Sequence, residues 1–551
     1  MSPSLTDEIK REIGQHFVFG FHGYDLSQDI VTLIRDYHLG NVILMKRNIH
    51  SMAQVYNLVI KLQQLAKDSG HAKPLLVGID QENGLVSAFS STESTKAGTQ
   101  FPGAMALAST GSVQLCEEVS AATGKELRAV GINWAYSPVA DINSDPRNPV
   151  IGVRSFGDDP QEVGKYVKAT CNGLVSAGVA PCAKHFPGHG DTHVDSHLAL
   201  PRILKPKENL LDTELRPFKA LIDDDIPTIM TGHMAFPLVN GDDTPCSLSA
   251  SITTQLLRDE LGYNGVIVTD CLEMEAVVLK YGSEGGAVRS LQAGADIAMI
   301  CHRIDRQLGA IEAACTAVSE GQLDIYALKE SGERIGKLKD RFAGTWDDVL
   351  GREFVSAQVS RLSTENAALS LRAYAASTVL ISDHHRLIPL PNTGGTIILF
   401  TPHKEKINPA VDDPESVSHT TDGKVKNTAG PSYNSFARTL SDRRHVEHIV
   451  YAKNEAIPPD LGTGTIIFAT RNGHSSRWQL DYLLRLQDHV HVGLTRVIVV
   501  STCAPYDALE LSKTGVTCLA TMEFTVPALD AAAAVIFGEQ GGSGHLPVRG
   551  A

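Results

Sequence analysis

The sequence predicts an α/β protein: a (β/α)8 barrel of the TIM type over its first part, then a smaller α/β domain. Three observations carry this. Short apolar, β-rich runs alternate with longer helix-like segments from residue 17 to residue 300. Eight such runs fall within that stretch, the number and size expected of such a barrel. After a helical, polar stretch at about 305–375, the alternation resumes with five more runs.

The first eight runs are "FVFGF" (17–21), "NVILM" (41–45), "PLLVGID" (74–80), "INWAYSPV" (132–139), "VAPCAKH" (179–185), "PTIMTGH" (227–233), "GVIVTD" (265–270) and "ADIAMI" (295–300). They read as apolar throughout, the pattern of parallel strands buried on both faces. An open doubly wound sheet would show the same alternation; the count of eight favours closure. The stretch "RQLGAIEAACTAVSEGQLDIYALKESGERIGKLKDRF" (306–342) reads as a closing helix and connector. The later runs are "STVLIS" (377–382), "TIILF" (396–400), "HIVYA" (448–452), "TIIFAT" (465–470) and "RVIVVS" (496–501). The expected division is a barrel over 1–345, a helical linker over 346–375 and a second domain over 376–551. Residues 403–435, rich in Pro, Asp, Ser, Thr and Lys, are expected to form a long exposed loop.

Composition narrows the class. The formal net charge is −14 and no long Lys/Arg tract occurs, which argues against nucleic acid or an anionic membrane as main partner. No apolar run approaches the length needed to span a bilayer, and "MSPSLTDEIKREIGQHF" lacks the pattern of a secretory signal. The nine cysteines are scattered without a CxxC pair and read as reduced thiols, so the cytoplasm is the expected location.

A barrel gathers the ends of its strands on one face. Those ends carry Asp80, Asp141, a histidine-rich stretch, His233 and Asp270. The stretch is "KHFPGHGDTHVDSH" (184–197), with His185, His189, His193 and His197 every fourth residue. On a helix this spacing would make a metal-binding face. Pro187, Gly188 and Gly190 argue for a loop instead. Loop histidines still bind zinc in other proteins, so a metal reading stands beside one of acid/base chemistry. In the latter, Asp195 and His197 form an i, i+2 pair in which the carboxylate orients the imidazole. Asp270 ends an apolar run, where barrels place catalytic groups. It also precedes "CLEMEAVVL" with Glu273 three residues on, so a helix cap is an equal reading. Trp134, Trp346, Trp478, Met234 and Met274 are expected in cores, and His384 and His385 on a surface loop.

Taken together, these stretches resemble glycoside hydrolase family 3, in its β-N-acetylglucosaminidase branch. The resemblance rests on "KHFPGHGDTHVDSH", "VILMKRNI" (42–49), "FPGAMALAST" (101–110), "IGVRSFGDDP" (151–160) and "GVIVTDCLEME" (265–275), in this order. The ending "IFGEQGGSGHLPV" (536–548) is similar to the close of the family's α/β sandwich domain. The resemblance implies a retaining exo-β-N-acetylglucosaminidase, with Asp270 as nucleophile and Asp195 and His197 as acid/base pair. It further implies that Asp80, Arg154, Lys184 and His185 hold the sugar, with His233 nearby. No metal or organic cofactor is implied, the partner is a small carbohydrate, and the chain is expected as a monomer or homodimer. One departure stands out: relatives carry arginines where this chain has Leu85 and Ala88. Rival readings are another family 3 β-glycosidase such as a β-glucosidase, an N-acetylglucosaminide phosphorylase, or a catalytically silent sugar-binding protein.

Overall fold

Each of the eight apolar runs of the first part becomes a parallel strand in the computed structural model. It describes residues 5–91, 95–193, 195–196, 199–404, 429–459, 461, 464–490 and 497–549. The strands are β1 (Phe17–Phe19), β2 (Asn41–Leu44) and β3 (Leu76–Ile79), then a hairpin of β4 (Gln81–Asn83) and β5 (Val86–Ser87). There follow β6 (Trp134–Ala135), β7 (Ala180–Phe186), β8 (Thr228–Thr231), β9 (Val266–Cys271) and β10 (Ile297–Ile300). The order β1-β10-β9-β8-β7-β6-β3-β2 closes on itself, with all pairings parallel, so the barrel rather than the open sheet is the fold.

Alternation along the strands fills the barrel. Val18, Ile43, Leu76, Trp134, Cys182, Met230, Val266, Val268, Ile297 and Met299 pack together inside it. Trp134 is fully buried there and its indole N–H donates to Thr228 Oγ1 at 2.9 Å. The opposite faces of the strands pack against the surrounding helices. Those helices start where the sequence supplies caps: Ser27, Ser51, Ser112 and Asp159 each accept a backbone N–H of the first turn. The helix Ile325–Phe342 runs beneath the barrel, where Ile335, Leu338 and Phe342 join the interior cluster.

The second part forms a six-stranded sheet in the order β11-β16-β15-β14-β12-β13. Its strands are β11 (Val379–Ser382), β12 (Ile397–Pro402), β13 (Val446–Tyr451), β14 (Thr465–Thr470), β15 (Val497–Ser501) and β16 (Thr517–Ala520). All pairs are parallel except β11 with β16. Helices cover both faces: Gly430–Ser441 and Val526–Ile536 on one, Trp478–Val490 and Tyr506–Ser512 on the other. The sequence pattern marks five of these strands and misses β16, a four-residue run that opens on Thr517 and Cys518 before Leu519 and Ala520. Most of the predicted 403–435 loop lies outside the described residues; the helix Gly430–Ser441 takes its end. Between barrel and sheet the helix Ser356–Ser377 spans 22 residues. Among the described residues no helix is long and apolar enough to cross a membrane.

At the closed end of the barrel Lys339 is 2 % exposed, and its ammonium donates to Gln15 Oε1 at 2.7 Å and to the Gly40 carbonyl at 2.9 Å. Burial, helped by the charge of Lys73 and opposed by Glu12, brings its pKa down to about 7. Between that value and the ordinary lysine value of about 10.4 the unfolded chain holds the extra proton, so stability rises with pH. The slope approaches about 1.4 kcal/mol per pH unit. Lys339→Met should raise the melting temperature at pH 7 and flatten its rise toward pH 9.5, as read by calorimetry; an unchanged slope would count against this.

Candidate active site

β7 is buried along its whole length, and its register with β8 slips between Ala183 and Phe186. The slip falls on Lys184 and His185, at the open end of the barrel. Lys184 Nζ lies 2.7 Å from Asp80 Oδ1 and 2.7 Å from Glu82 Oε1. Asp80 follows β3; Glu82 stands two residues further on in β4, a spacing that turns both side chains the same way. Arg154, in the short helical turn Gly152–Arg154, grips the same carboxylate twice: Nε to Oε2 at 2.9 Å and Nη2 to Oε1 at 2.7 Å. The side chains of Lys184, Glu82 and Arg154 are 3 %, 6 % and 7 % exposed, whereas Asp80 keeps 35 %. Burial alone would raise the Glu82 carboxyl, but the charges of Arg154 and Lys184 overcome it and hold the pKa at about 2. Both cations are in turn held above their ordinary ranges, burial notwithstanding.

A second carboxylate orders the histidines. Asp141 is fully buried; its Oδ2 lies 2.7 Å from His185 Nδ1, and its Oδ1 accepts the His189 backbone N–H at 2.7 Å. Burial would raise Asp141, yet His185 and the hydrogen bonds bring it below the usual carboxylate range. His189 is fixed through Nε2 to Ser196 Oγ at 2.9 Å, and burial pushes its imidazole down to about 4. From Pro187 on, the described residues of the stretch form a loop, as Pro187 and the glycines required. Gly190 lies directly against the Ile142 carbonyl and leaves no room for a side chain. The four-residue spacing builds no common face: the His185 and His189 rings meet edge-on at 6.0 Å, while His193 is exposed near Asp145. Among the described residues, Asp141 and Ser196 hold the two buried rings.

Asp270 belongs to β9, and the next helix begins at Glu275 with Met274 at its cap position. The cap reading of Asp270 is therefore corrected: the chain is still extended there, and Oδ1 accepts the Cys271 N–H at 2.7 Å. Glu273 does a different job from the capping box expected of it. It receives the backbone N–H groups of Cys301, His302 and Arg303 at 3.0, 2.6 and 3.1 Å and so terminates β10. Among the described residues Cys271, Glu273 and His302 bring ligand atoms within 4.8 Å of one another. The Arg47 guanidinium donates to His302 Nδ1 at 3.2 Å, and Glu273 is engaged by those three N–H groups. His233 stands just after β8. It is fully buried, with Nδ1 on Ser247 Oγ at 2.7 Å and Nε2 on the Cys271 carbonyl at 3.0 Å.

Asp80 just after β3, Lys184 toward the end of β7 and Asp270 toward the end of β9 stand at one mouth of the parallel barrel. The Cys182 thiol, inside the barrel, is pushed up to about 12 by burial and feels the charges of all three. Asp80 and Asp270 are the partly exposed members; the cations lie beneath. Asp195 is buried at 7 % exposure beside Ser196, and its expected partner His197 lies outside the described residues. Glu82 is the residue that sequence reasoning missed. A second acid two positions after Asp80, in "GIDQEN", was the available signal. Leu85 and Ala88 are half-buried at the two ends of β5. Removing the shared carboxylate leaves two buried cations poorly compensated, a change that costs about 3–5 kcal/mol. Glu82→Gln should therefore lower the denaturant midpoint markedly, while a surface change such as Glu330→Gln should not move it.

The comparisons with known proteins agree with this architecture. The family model described as "Glycosyl hydrolase family 3 N terminal domain" matches residues 8–338, more than half of the chain. A β-hexosaminidase A of Pseudoalteromonas piscicida is 34% identical over 401 residues, covering 69% of this chain and 65% of that protein. A solved fungal multi-domain family 3 β-N-acetylglucosaminidase is 36% identical with a TM-score of 0.88, over 98% of this chain and 60% of that one. This chain thus spans somewhat less than two thirds of both. The β-N-acetylglucosaminidase of Paenibacillus sp. FPU-7 is 32% identical, with a TM-score of 0.85 over 99% of each chain. A closed eight-stranded parallel barrel, a separate mostly parallel sheet and a family match across nearly the whole barrel lead to one conclusion: the chain belongs to glycosyl hydrolase family 3.

Proposed function

We propose that the protein is a retaining exo-β-N-acetylglucosaminidase acting on terminal β-linked N-acetylglucosamine in chitooligosaccharides or related glycosides. One observation carries the reading most: Asp270, partly exposed toward the end of β9, belongs to the same mouth of the closed parallel barrel as the Asp80–Lys184 pair at the ends of β3 and β7. The names of the relatives, β-hexosaminidase and β-N-acetylglucosaminidase, support the sugar.

In this reading the barrel carries the chemistry. The ammonium of Lys184 and the carboxylate of Asp80 meet the sugar hydroxyls, and His185 and Arg154 complete the floor. Asp270 attacks the anomeric carbon as the bond to the leaving oxygen breaks, and that oxygen takes the proton of the His197 imidazole. The result is a glycosyl ester on Asp270. His197, now neutral, removes a proton from water; the hydroxyl oxygen bonds to the anomeric carbon and Asp270 leaves as carboxylate. Two inversions retain the β configuration. Asp195 orients His197 and favours its protonated form. An imidazole in this role avoids a second carboxylate beside the nucleophile. The chemistry uses water as second reactant and calls for no metal or organic cofactor.

Asp270→Ala should leave turnover of chitobiose at background. His197→Ala should lower kcat on chitobiose by about 10²–10⁴, and much less on nitrophenyl N-acetylglucosaminide, whose leaving group needs no proton. Product analysis by NMR should show β-N-acetylglucosamine first, with or without phosphate. Wild-type rates in both variants would refute the assignment, a sugar phosphate product would make the protein a phosphorylase, and faster turnover of the glucoside would make it a β-glucosidase.

A further inference from the structure

The second part of the chain touches the barrel at several places, and three of them lie next to a residue of the site. The first is a buried carboxylate. Glu523, just after β16, is 2 % exposed; Oε2 accepts the Gly103 N–H at 2.9 Å, and Oε1 accepts the hydroxyls of Tyr374 and Thr525 at 2.7 and 2.6 Å. Against it lies Gly84, at φ +58°, where a Cβ would come within 2.6 Å of Glu523 Oε2 and 2.7 Å of Gly103 Cα. Gly84 closes the turn of the hairpin that carries Glu82. Its N–H donates to the Phe101 carbonyl at 2.8 Å, so the segments at 81–84 and 100–103 are laid together under Glu523.

The second place is apolar. Val153, beside Arg154, packs in a cluster with Met105, Ala504, Tyr506 and Met522, drawn from both parts of the chain. The third is the loop after Asp141. Asn143 Nδ2 donates to the Tyr506 hydroxyl at 2.6 Å, and His474 Nε2 lies 2.9 Å from the Pro146 carbonyl. The neighbours of Glu82, Arg154 and Asp141 are thus each held from the second sheet. These three groups fix Lys184 and His185, so the sheet reaches the proposed sugar-binding set through them.

We propose that the second sheet acts as a brace for the sugar-binding side of the barrel, with Glu523 as its main positioning residue. The brace rests on the proposed sugar-binding role of that side. Glu523 acts through Gly84 and Gly103 on Glu82, and through Glu82 on Lys184 and Arg154. Its loss should loosen the floor of the site while leaving Asp270, on the far side of the barrel, in place. The expected consequence is weaker sugar binding at nearly unchanged chemistry.

The test is a KM-against-kcat comparison on nitrophenyl N-acetylglucosaminide, well below the melting temperature. Glu523→Ala should raise KM about tenfold and change kcat by less than about threefold, the mark of lost uniform binding. Glu523→Gln should restore KM, since its amide oxygen can accept from Gly103 and its amide nitrogen can donate to Tyr374. Tyr506→Phe, a milder change, should raise KM two- to threefold. Leu483→Ala serves as control: its side chain lies in a cluster of the second sheet that holds no barrel residue, so it should lower the melting temperature and leave KM alone. Hydrogen exchange read on peptides covering 81–103 should quicken in Glu523→Ala and stay at the wild-type rate in Leu483→Ala. An unchanged KM in Glu523→Ala, or an equal rise in Leu483→Ala, would overturn the brace. If the wild-type protein does not cleave the glycoside, the functional reading fails, and exchange alone still decides whether the brace exists. If Glu523→Ala does not fold, Tyr506→Phe and exchange over 141–157 decide it.

Discussion

Glu82 sits between Lys184 and Arg154 where little water reaches any of the three charges. Each cation alone would be driven toward neutrality by burial or would pull in solvent. With the carboxylate shared between them, both stay charged and both keep a fixed direction. The remaining features of this end of the barrel follow from that constraint. Arg154 must come from a turn that can reach Glu82, β7 must slip to bring Lys184 inward, and the hairpin after Asp80 must fold back over the barrel mouth. Asp141 repeats the device for the histidines, taking the His185 ring and two backbone N–H groups at once.

This arrangement separates two kinds of carboxylate. Glu82 and Asp141 are buried and occupied by their partners; they set geometry. Asp80 and Asp270 are partly open and stand at strand ends. Under the proposed mechanism the open pair meets the substrate, one as a hydroxyl acceptor and one as the nucleophile. The buried pair fixes the groups around them before any sugar arrives, so little reorganisation remains for binding.

Much of the fold was legible in the sequence, because the strands of a parallel barrel are apolar on both faces and stand out as runs. All eight were visible, and Pro187 with its neighbouring glycines is enough to rule out a helical histidine face. Legibility ended where partners are distant. Asp270 and Glu273 looked like a local capping box, but Glu273 serves the end of β10, some thirty residues on, and the helix starts later. Nothing near Glu82 announces that it will meet Lys184 and Arg154, 102 and 72 positions away. His233 stands just after a strand, and its partners Ser247 and the Cys271 carbonyl lie 14 and 38 positions away. β16 escaped because a short run containing Thr517 and Cys518 carries little periodic signal.

The hairpin of β4 and β5 pairs only with itself and stands outside the closed ladder of the barrel. Its residues therefore answer to different demands. Glu82 is bound by charge to the barrel, and Gly84 by space to the second sheet, so neither can be exchanged cheaply. Leu85 and Ala88 carry neither obligation. A change at those two places leaves the register of the barrel strands and the ion cluster untouched.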